Sequence, residues 1–172
     1  MTGRLSSTVL IDAARIRQTV EAMAKAISAD TPPETPLSVL AVMDGAAMFC
    51  ADLVRWLPMP VHLGFVRQIS IARGGRPAEL VFPPELPLRG ADVLVVEDIL
   101  DSGRTMSALA ERVARERPAR LRLAILLDKR ARREVLVHPD YVGFTIDDRW
   151  VVGYGLDFEG LYRNLPYITY VE

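Results

Sequence analysis

The sequence predicts an α/β fold: a central, mostly parallel sheet flanked by helices. Three observations predict it. The apolar runs 37–43, 92–96 and 121–127 are continuous rather than alternating, the pattern of strands buried on both faces. Segments of helical periodicity follow or separate them, and strand–helix–strand alternation favours a parallel sheet. The 172-residue length suits one domain spanning residues 1–172 with a full hydrophobic core.

The elements follow in order. Residues 9–28 read as a helix, because Ile16, Val20, Met23 and Ile27 recur at spacings of three and four. The segment Asp30-Thr31-Pro32-Pro33-Glu34-Thr35-Pro36 stops it. Leu37 to Met43 reads as a buried strand, Asp44-Gly45 as a turn, and Ala46 to Leu57 as a helix ended by Pro58. Val61 to Ile71 is a further strand, and Arg73-Gly74-Gly75-Arg76-Pro77 a loop. Glu79 to Gly90 is Pro-rich, either irregular or a short hairpin arm, and residues 67–90 together read as a mobile lid. Asp92 to Val96 is the clearest central strand, followed by a helix over Ser107 to Arg117 that Pro118 ends. Leu121 to Leu127, Tyr141 to Phe144 and Val151 to Tyr154 complete the strands. There is no repeat and no low-complexity tract.

Composition narrows the function classes. Eleven Gly and twelve Pro in a chain that is half hydrophobic and one quarter charged is globular usage. The single cysteine, Cys50, excludes an intrachain disulfide and a multi-cysteine zinc cage, and a reducing cytoplasm is the expected home. No apolar run reaches the roughly 20 residues of a membrane helix, and Met1 to Leu10 lacks the apolar stretch of a signal peptide. Twenty-one basic against 22 acidic residues argues against a general nucleic-acid binder. Arg112, Arg115, Arg117, Arg120 and Arg122 read as a solvated helix face and turn. His62 and His138 stand alone without metal-ligand spacing. Only Lys25 and Lys129 are lysines, which gives a lysine in a suggestive place extra weight.

The most informative segment is Val93-Leu94-Val95-Val96-Glu97-Asp98-Ile99-Leu100-Asp101-Ser102-Gly103-Arg104-Thr105-Met106. An apolar strand runs into two adjacent carboxylates, and a short loop then opens a helix. Ligands of open α/β sheets sit at the carboxyl ends of strands, and a loop before a helix presents free backbone N–H groups to a phosphate. Ser102 and Thr105 add hydroxyl donors, and Gly103 lets the backbone approach closely. Glu97 and Asp98 would repel a phosphate placed on them, but they suit the two hydroxyls of a ribose or a magnesium ion beside it. The bland alternative is helix capping, for which three carboxylates and two hydroxyls are more than is needed. No P-loop and no dinucleotide fingerprint is present.

This segment closely resembles the phosphoribosyl pyrophosphate (PRPP) signature of type I phosphoribosyltransferases. The likeness extends to the hypoxanthine-guanine subfamily through Met43-Asp44-Gly45-Ala46 with Ala51-Asp52-Leu53-Val54-Arg55, and through Leu126-Leu127-Asp128-Lys129-Arg130. Asp140 to Phe144, Val151 to Phe158 and Tyr162 to Ile168 continue it, so that it covers residues 8–172. The resemblance implies the type I phosphoribosyltransferase fold with a small hood or lid, and transfer of the phosphoribosyl group from PRPP to hypoxanthine or guanine with Mg²⁺. Glu97, Asp98, Asp101, Ser102, Gly103, Arg104 and Thr105 would bind the ribose and its 5′-phosphate, with Asp101 as general base near N7 of the purine. Lys129 would donate to the 6-oxo group, Trp150 would stack on the base, and Val151 and Asp157 would complete the purine site. Asp44, Gly45 and Arg163 would meet pyrophosphate, and Glu97, Asp98 and Asp157 would lie around the metal. A homodimer or homotetramer is implied, with neither nucleic acid nor membrane as partner. Ordinary alternatives stand beside these roles: loop closure for Asp101, a solvated surface for Lys129, core packing for Trp150, and an ion pair with Glu159 for Arg163.

The chain departs from the family on the pyrophosphate side. Asp44 stands where a lysine is usual, and Ser70-Ile71 stands where a Ser-Tyr pair is usual. The lid is short and carries Arg73 and Arg76 but no lysine. Two functions therefore stay open: a purine salvage enzyme, and a protein of this fold that senses a purine nucleotide or PRPP.

Overall fold

The computed structural model describes residues 4–69, 79–83 and 85–172. Helix α1 spans Ala13–Ala29, strand β1 Leu37–Met43, helix α2 Ala47–Val54, strand β2 Val61–Ile69 and strand β3 Glu79–Val81. Strand β4 spans Asp92–Leu100, helix α3 Arg104–Ala114, strand β5 Arg120–Asp128 and strand β6 Tyr141–Thr145. Strands β7, Trp150–Val152, and β8, Thr169–Val171, follow. The main sheet runs β3-β2-β1-β4-β5-β6, with only β3 antiparallel to its neighbour. Strands β7 and β8 form a separate antiparallel pair, joined to the N-terminal segment by bridges from Leu5 to Val171 and from Ile11 to Ile168.

Continuous apolar strands arise because both sheet faces are covered. Side chains alternate between faces along a strand, so Val39, Ala41, Leu94 and Val96 join a core with α1 and α2. Leu40, Val42, Val93 and Val95 join a second core with Met106, Leu109 and Val113 of α3. Asp12 caps α1, accepting a hydrogen bond from Arg15 N at 2.8 Å. Cys50 is buried in α2, and burial pushes its thiol up to about 12.

Several boundaries differ from the sequence expectation. Helix α3 begins at Arg104 rather than Ser107, because Gly103 adopts a left-handed φ of 85° and lets the chain turn directly from strand into helix. Helix α2 ends at Val54, where Trp56 N and Leu57 N turn back onto Leu53 O and Val54 O. The Pro-rich 79–90 segment contributes β3, a short hairpin arm on β2. Strand β8 carried no periodic signal, since three residues are too few to show one. Of the expected lid, residues 70–78 and Pro84 lie outside the described residues, and with them Ser70, Ile71, Arg73 and Arg76.

The sheet has a topological switch point between β1 and β4. From β1 the chain moves toward β2, and from β4 it moves the opposite way toward β5. The carboxyl ends of these two neighbours therefore feed connections that diverge and leave a crevice between them.

The opposite end of the sheet is tied by a buried polar network, which corrects the reading of Arg122 as solvated. Arg122 is 4% exposed. It points inward from β5 and donates to both carboxylate oxygens of Asp92, at 3.0 and 2.9 Å. It also donates to Tyr141 Oη and to Thr31 Oγ1, and Tyr141 in turn donates to Asp30 Oδ2. Residues of β4, β5, β6 and the end of α1 are joined in this way. A guanidinium tolerates burial here because its charge is matched by Asp92. Asp92→Ala should cost about 3–5 kcal/mol, since it leaves that charge buried and uncompensated. In thermal unfolding this corresponds to a midpoint lower by on the order of 10 °C; an unchanged midpoint would refute the network as a structural tie.

Candidate active site

The crevice at the switch point holds most of the residues that the sequence singled out. One lobe, about 330 Å³, is lined by Gly45 of the β1–α2 turn, by Glu97, Asp98, Asp101, Ser102, Gly103 and Thr105, and by Asp157 and Arg163. A second lobe, about 210 Å³, is lined by Lys129, Arg132, Trp150, Val151 and Leu156. Asp98, Ile99, Asp101 and Asp157 line both lobes, so the two share a wall. A larger cavity of about 510 Å³ lies between α1 and α2, lined among others by Ile16, Trp56 and Tyr154. The carboxylate lining it, Asp52, already accepts from Tyr154 Oη at 2.7 Å and pairs with Arg55. It offers no comparable constellation.

Each wall follows from local structure. Strand β4 carries Glu97 and Asp98 to the crevice near its carboxyl end, two residues before the strand finishes at Leu100. Both are buried, at 9% and 7% exposure. Asp98 Oδ1 accepts from Ile99 N at 2.9 Å. Gly45 is packed against this carboxylate: a Cβ there would lie 1.9 Å from Asp98 Oδ2, so a larger residue would displace the carboxylate. The peptide Met43–Asp44 entering that turn is cis.

Burial pushes the Glu97 carboxyl well up, and the charge of neighbouring Asp98 pushes it further. Asp98 is raised by burial, against the pull of hydrogen bonds from Glu97 and from backbone amides and of the Arg163 charge. Burial thus opposes ionisation of both carboxyls, and Asp98 adds to it at Glu97.

Asp157 is held by two contacts. Gly160 N donates to its Oδ2 at 2.7 Å, and Arg163 pairs with its Oδ1 at 2.7 Å. Arg163 also donates to Gly155 O at 2.5 Å. Its partner is therefore Asp157 rather than Glu159. Asp44 and Arg104 do not line the cleft. The Asp44 carboxylate pairs with Arg67, which stands opposite Met43 in the strand register. The Arg104 guanidinium pairs with Glu134.

In the second lobe Lys129 is 6% exposed, at the end of β5. Its backbone N donates to Leu100 O at 3.0 Å, and its ammonium lies 3.8 Å from Asp148 Oδ1. Trp150 is 59% exposed, so it is not core. Its indole N–H donates to Asp157 O at 3.2 Å, and Phe158 meets it edge to face at 5.8 Å. The ring is held through its N–H and by Phe158, and more than half of the residue is exposed. Asp101 lies on the shared wall. Its Oδ1 is screened from solvent and accepts no hydrogen bond of good geometry, although Arg132 Nε lies 3.3 Å away.

Sequence reasoning missed Arg132, Arg133 and Asp148. Arg132 bridges Asp101 and Asp148, the second at 3.6 Å, and Asp148 also faces Lys129. The run Arg130-Ala131-Arg132-Arg133 reads as surface charge, and its short 3₁₀ turn, Arg130–Arg132, has no pattern that would reveal it. Among the described residues no group of three or more His, Cys, Asp or Glu side chains forms a ready metal cage, and no helix is long and apolar enough to cross a membrane.

Comparison with known proteins agrees with this geometry. Residues 8–159 match the phosphoribosyl transferase domain. The hypoxanthine-guanine phosphoribosyltransferase of Aquifex aeolicus is 36% identical over 160 residues, covering 91% of this chain and 90% of that protein. The hypoxanthine phosphoribosyltransferase of Salmonella typhimurium is 41% identical over 133 residues, 76% of this chain and 75% of that one. A crystal structure of a hypoxanthine-guanine phosphoribosyltransferase from Bacillus anthracis superposes with a TM-score of 0.90 at 34% identity, covering 98% of this chain and 99% of the other. With its sheet order, its two-lobed crevice and these relatives, the chain belongs to the phosphoribosyltransferase family, in its hypoxanthine-guanine branch.

Proposed function

We propose that the chain, working as one domain, transfers the 5-phosphoribosyl group of PRPP to N9 of hypoxanthine or guanine, giving IMP or GMP and pyrophosphate. The observation that carries this reading is the shared wall. A phosphate-type loop and a base-type lobe meet at Asp101, which is where a bond between sugar and base would form.

The roles follow from the contacts. The amides of the 102–105 loop, at the N-terminus of α3, receive the 5′-phosphate. Glu97 and Asp98 accept from the ribose hydroxyls. Lys129 is a buried ammonium that can donate to a 6-oxo group but finds only a competing donor in the 6-amino group of adenine. Trp150 offers its exposed indole to the purine, a contact worth about 1–3 kcal/mol by analogy with base stacking on aromatic platforms. Val151 lines the same lobe. Asp101 Oδ1, which accepts no hydrogen bond and faces the Arg132 guanidinium, can hold or take the N7 proton as C1′ bonds to N9.

On the leaving-group side Gly45 and Arg163 line the crevice. A planar guanidinium fork suits phosphate oxygens. Asp44 does not confront pyrophosphate as a bare charge, because Arg67 pairs with it. Magnesium fits this lobe as a guest of Asp157 and the Glu97–Asp98 pair, completed by substrate oxygens, since Mg²⁺ is usually held by one or two carboxylates plus phosphates. Bound there it would neutralise charge on the departing pyrophosphate.

The sensing alternative drew on Asp44 in place of a lysine and on the altered lid; the Asp44–Arg67 pair weakens the first ground, and the altered lid residues lie outside the described residues. A cytoplasmic enzyme that self-associates as a homodimer or homotetramer accords with this reading. Leu63 and Phe65 are exposed on the same side of β2, an apolar pair that a second copy could cover.

Steady-state assays with PRPP, Mg²⁺ and each of hypoxanthine, guanine, xanthine and adenine test the reading. Nucleotide should form from the 6-oxopurines and not from adenine; no turnover with any base would overturn it. Lys129→Gln should lower kcat/KM for hypoxanthine about 10–100-fold, the loss of one charge-assisted hydrogen bond. Asp101→Ala should cut kcat strongly while GMP still binds, as read by calorimetry; unchanged turnover would remove Asp101 from the chemistry.

Glu97→Gln should act in opposite directions on stability and binding. It removes a buried carboxylate whose ionisation is opposed by burial and by Asp98. The ligand-free variant should melt a few degrees higher near neutral pH, since about 1 kcal/mol corresponds to ~2–4 °C at this size. The advantage should fade as pH falls below the raised Glu97 pKa toward the ordinary carboxylate range, because the wild-type group is then protonated in the fold as well. PRPP affinity should fall in the same variant.

A further inference from the structure

We infer that Arg133, which lines neither lobe, is the positioning residue of the phosphate loop: it holds the loop carbonyls back so that the loop amides face the ligand. The inference rests on reading the 101–105 loop as the cradle of a 5′-phosphate.

Three successive carbonyls at the end of β4 are all claimed by the segment after β5. Leu100 O accepts from Lys129 N at 3.0 Å and from Arg133 Nη2 at 3.3 Å. Asp101 O accepts from Arg133 Nε at 3.1 Å. Ser102 O accepts from Glu134 N at 2.9 Å and Val135 N at 3.0 Å. Gly103, at φ 85°, closes the seam: a Cβ there would lie 2.4 Å from Val135 O and 3.0 Å from Arg133 Cδ. A residue with its carbonyl fixed on one side has the orientation of the next peptide N–H largely decided. With the carbonyls of residues 100–102 turned onto this strap, the N–H groups of the same peptides, those of residues 101–103, point the opposite way, toward the crevice that Asp101, Ser102 and Gly103 line.

Arg133 is suited to the task in a way that lysine is not. Its side chain is only 15% exposed, and it engages four acceptors at once. Besides the two loop carbonyls these are Val137 O, at 3.2 Å from Nη1, and the buried Asp128 carboxylate. Asp128 is itself shared with Arg130 Nε at 3.0 Å. The rigid guanidinium fork can satisfy diverging partners in one plane. An uncapped pair of carbonyls facing the crevice would instead repel a phosphate.

The strap also begins with Lys129, so the residue that meets the base and the residue that sets the phosphate loop are four positions apart on one backbone.

The test compares two probes, GMP and guanosine, titrated calorimetrically into wild type, Arg133→Gln and Arg133→Lys. The wild type should bind GMP well above guanosine. Arg133→Gln should weaken GMP at least tenfold and guanosine by less than twofold, and should raise KM for PRPP more than it lowers kcat. Arg133→Lys, which keeps the charge but loses the fork, should fall between them and serves as the readout if the glutamine variant does not fold. Equal weakening of GMP and guanosine would show a merely structural role and overturn the inference. Unchanged GMP affinity in the variants, or a wild type that binds the two probes alike, would overturn it as well. The assay reads binding rather than turnover, so a wild type that binds GMP but forms no nucleotide would sink the proposed reaction and leave this inference standing.

Discussion

Backbone polar groups at the end of a buried strand must find partners, and this molecule is organised around where those of β4 go. A parallel strand covered on both faces delivers its last carbonyls and amides into a region without water to spare. Here the carbonyls of residues 100–102 are taken up by the strap after β5, which turns the N–H groups of those peptides the other way, just before the N-terminus of α3. Under the proposed function this asymmetry would make a strand end an anion site. It depends on the single left-handed residue, Gly103, that lets β4 pass into α3 without a spacer.

The remaining features serve to keep that strand end open. The switch point separates the connections from β1 and β4, so no crossover fills the space between them. At the far end of the sheet the Asp92–Arg122 network ties β4, β5, β6 and the end of α1, which fixes the strands whose carboxyl ends carry the site. The segment from 150 onward then supplies the other wall. Its Asp157 and Arg163 are locked to each other and to neighbouring backbone, so they face the β4 carboxylates as a set. The Glu97–Asp98 pair is the cost of this arrangement: two buried acids side by side are unfavourable in the empty protein and find use only when a ligand supplies donors or positive charge.

In the proposed reaction specificity and affinity would come from different parts of the crevice. The phosphate lobe would work through backbone geometry and acidic side chains. The base lobe would work through one buried ammonium, one exposed indole and one carboxylate oxygen without a hydrogen bond. Because the lobes share Asp98, Ile99, Asp101 and Asp157, whatever fills one shapes the boundary of the other. Arg132 and Asp148 extend that coupling, linking Asp101 to Lys129 through two further charges.

Much of this was legible in the sequence. Continuous apolar strands announced a sheet covered on both faces, and two carboxylates running into a Ser-Gly-Arg-Thr turn pointed to the strand end that lines the crevice, because those signals are local. The family followed from motifs spread along the chain, and the order of the loops was already written in them. What the sequence could not decide was which charges meet. Arg122 looked solvated and is buried, Asp44 stood where a lysine is usual and is paired with Arg67, and Arg133, which carried no signal, donates to the loop carbonyl of Asp101. An arginine reads the same in sequence whether it faces water or a carboxylate. Its partner is chosen by strand register and by the turn that follows, both long-range consequences of packing, so these roles were decided only by the tertiary structure.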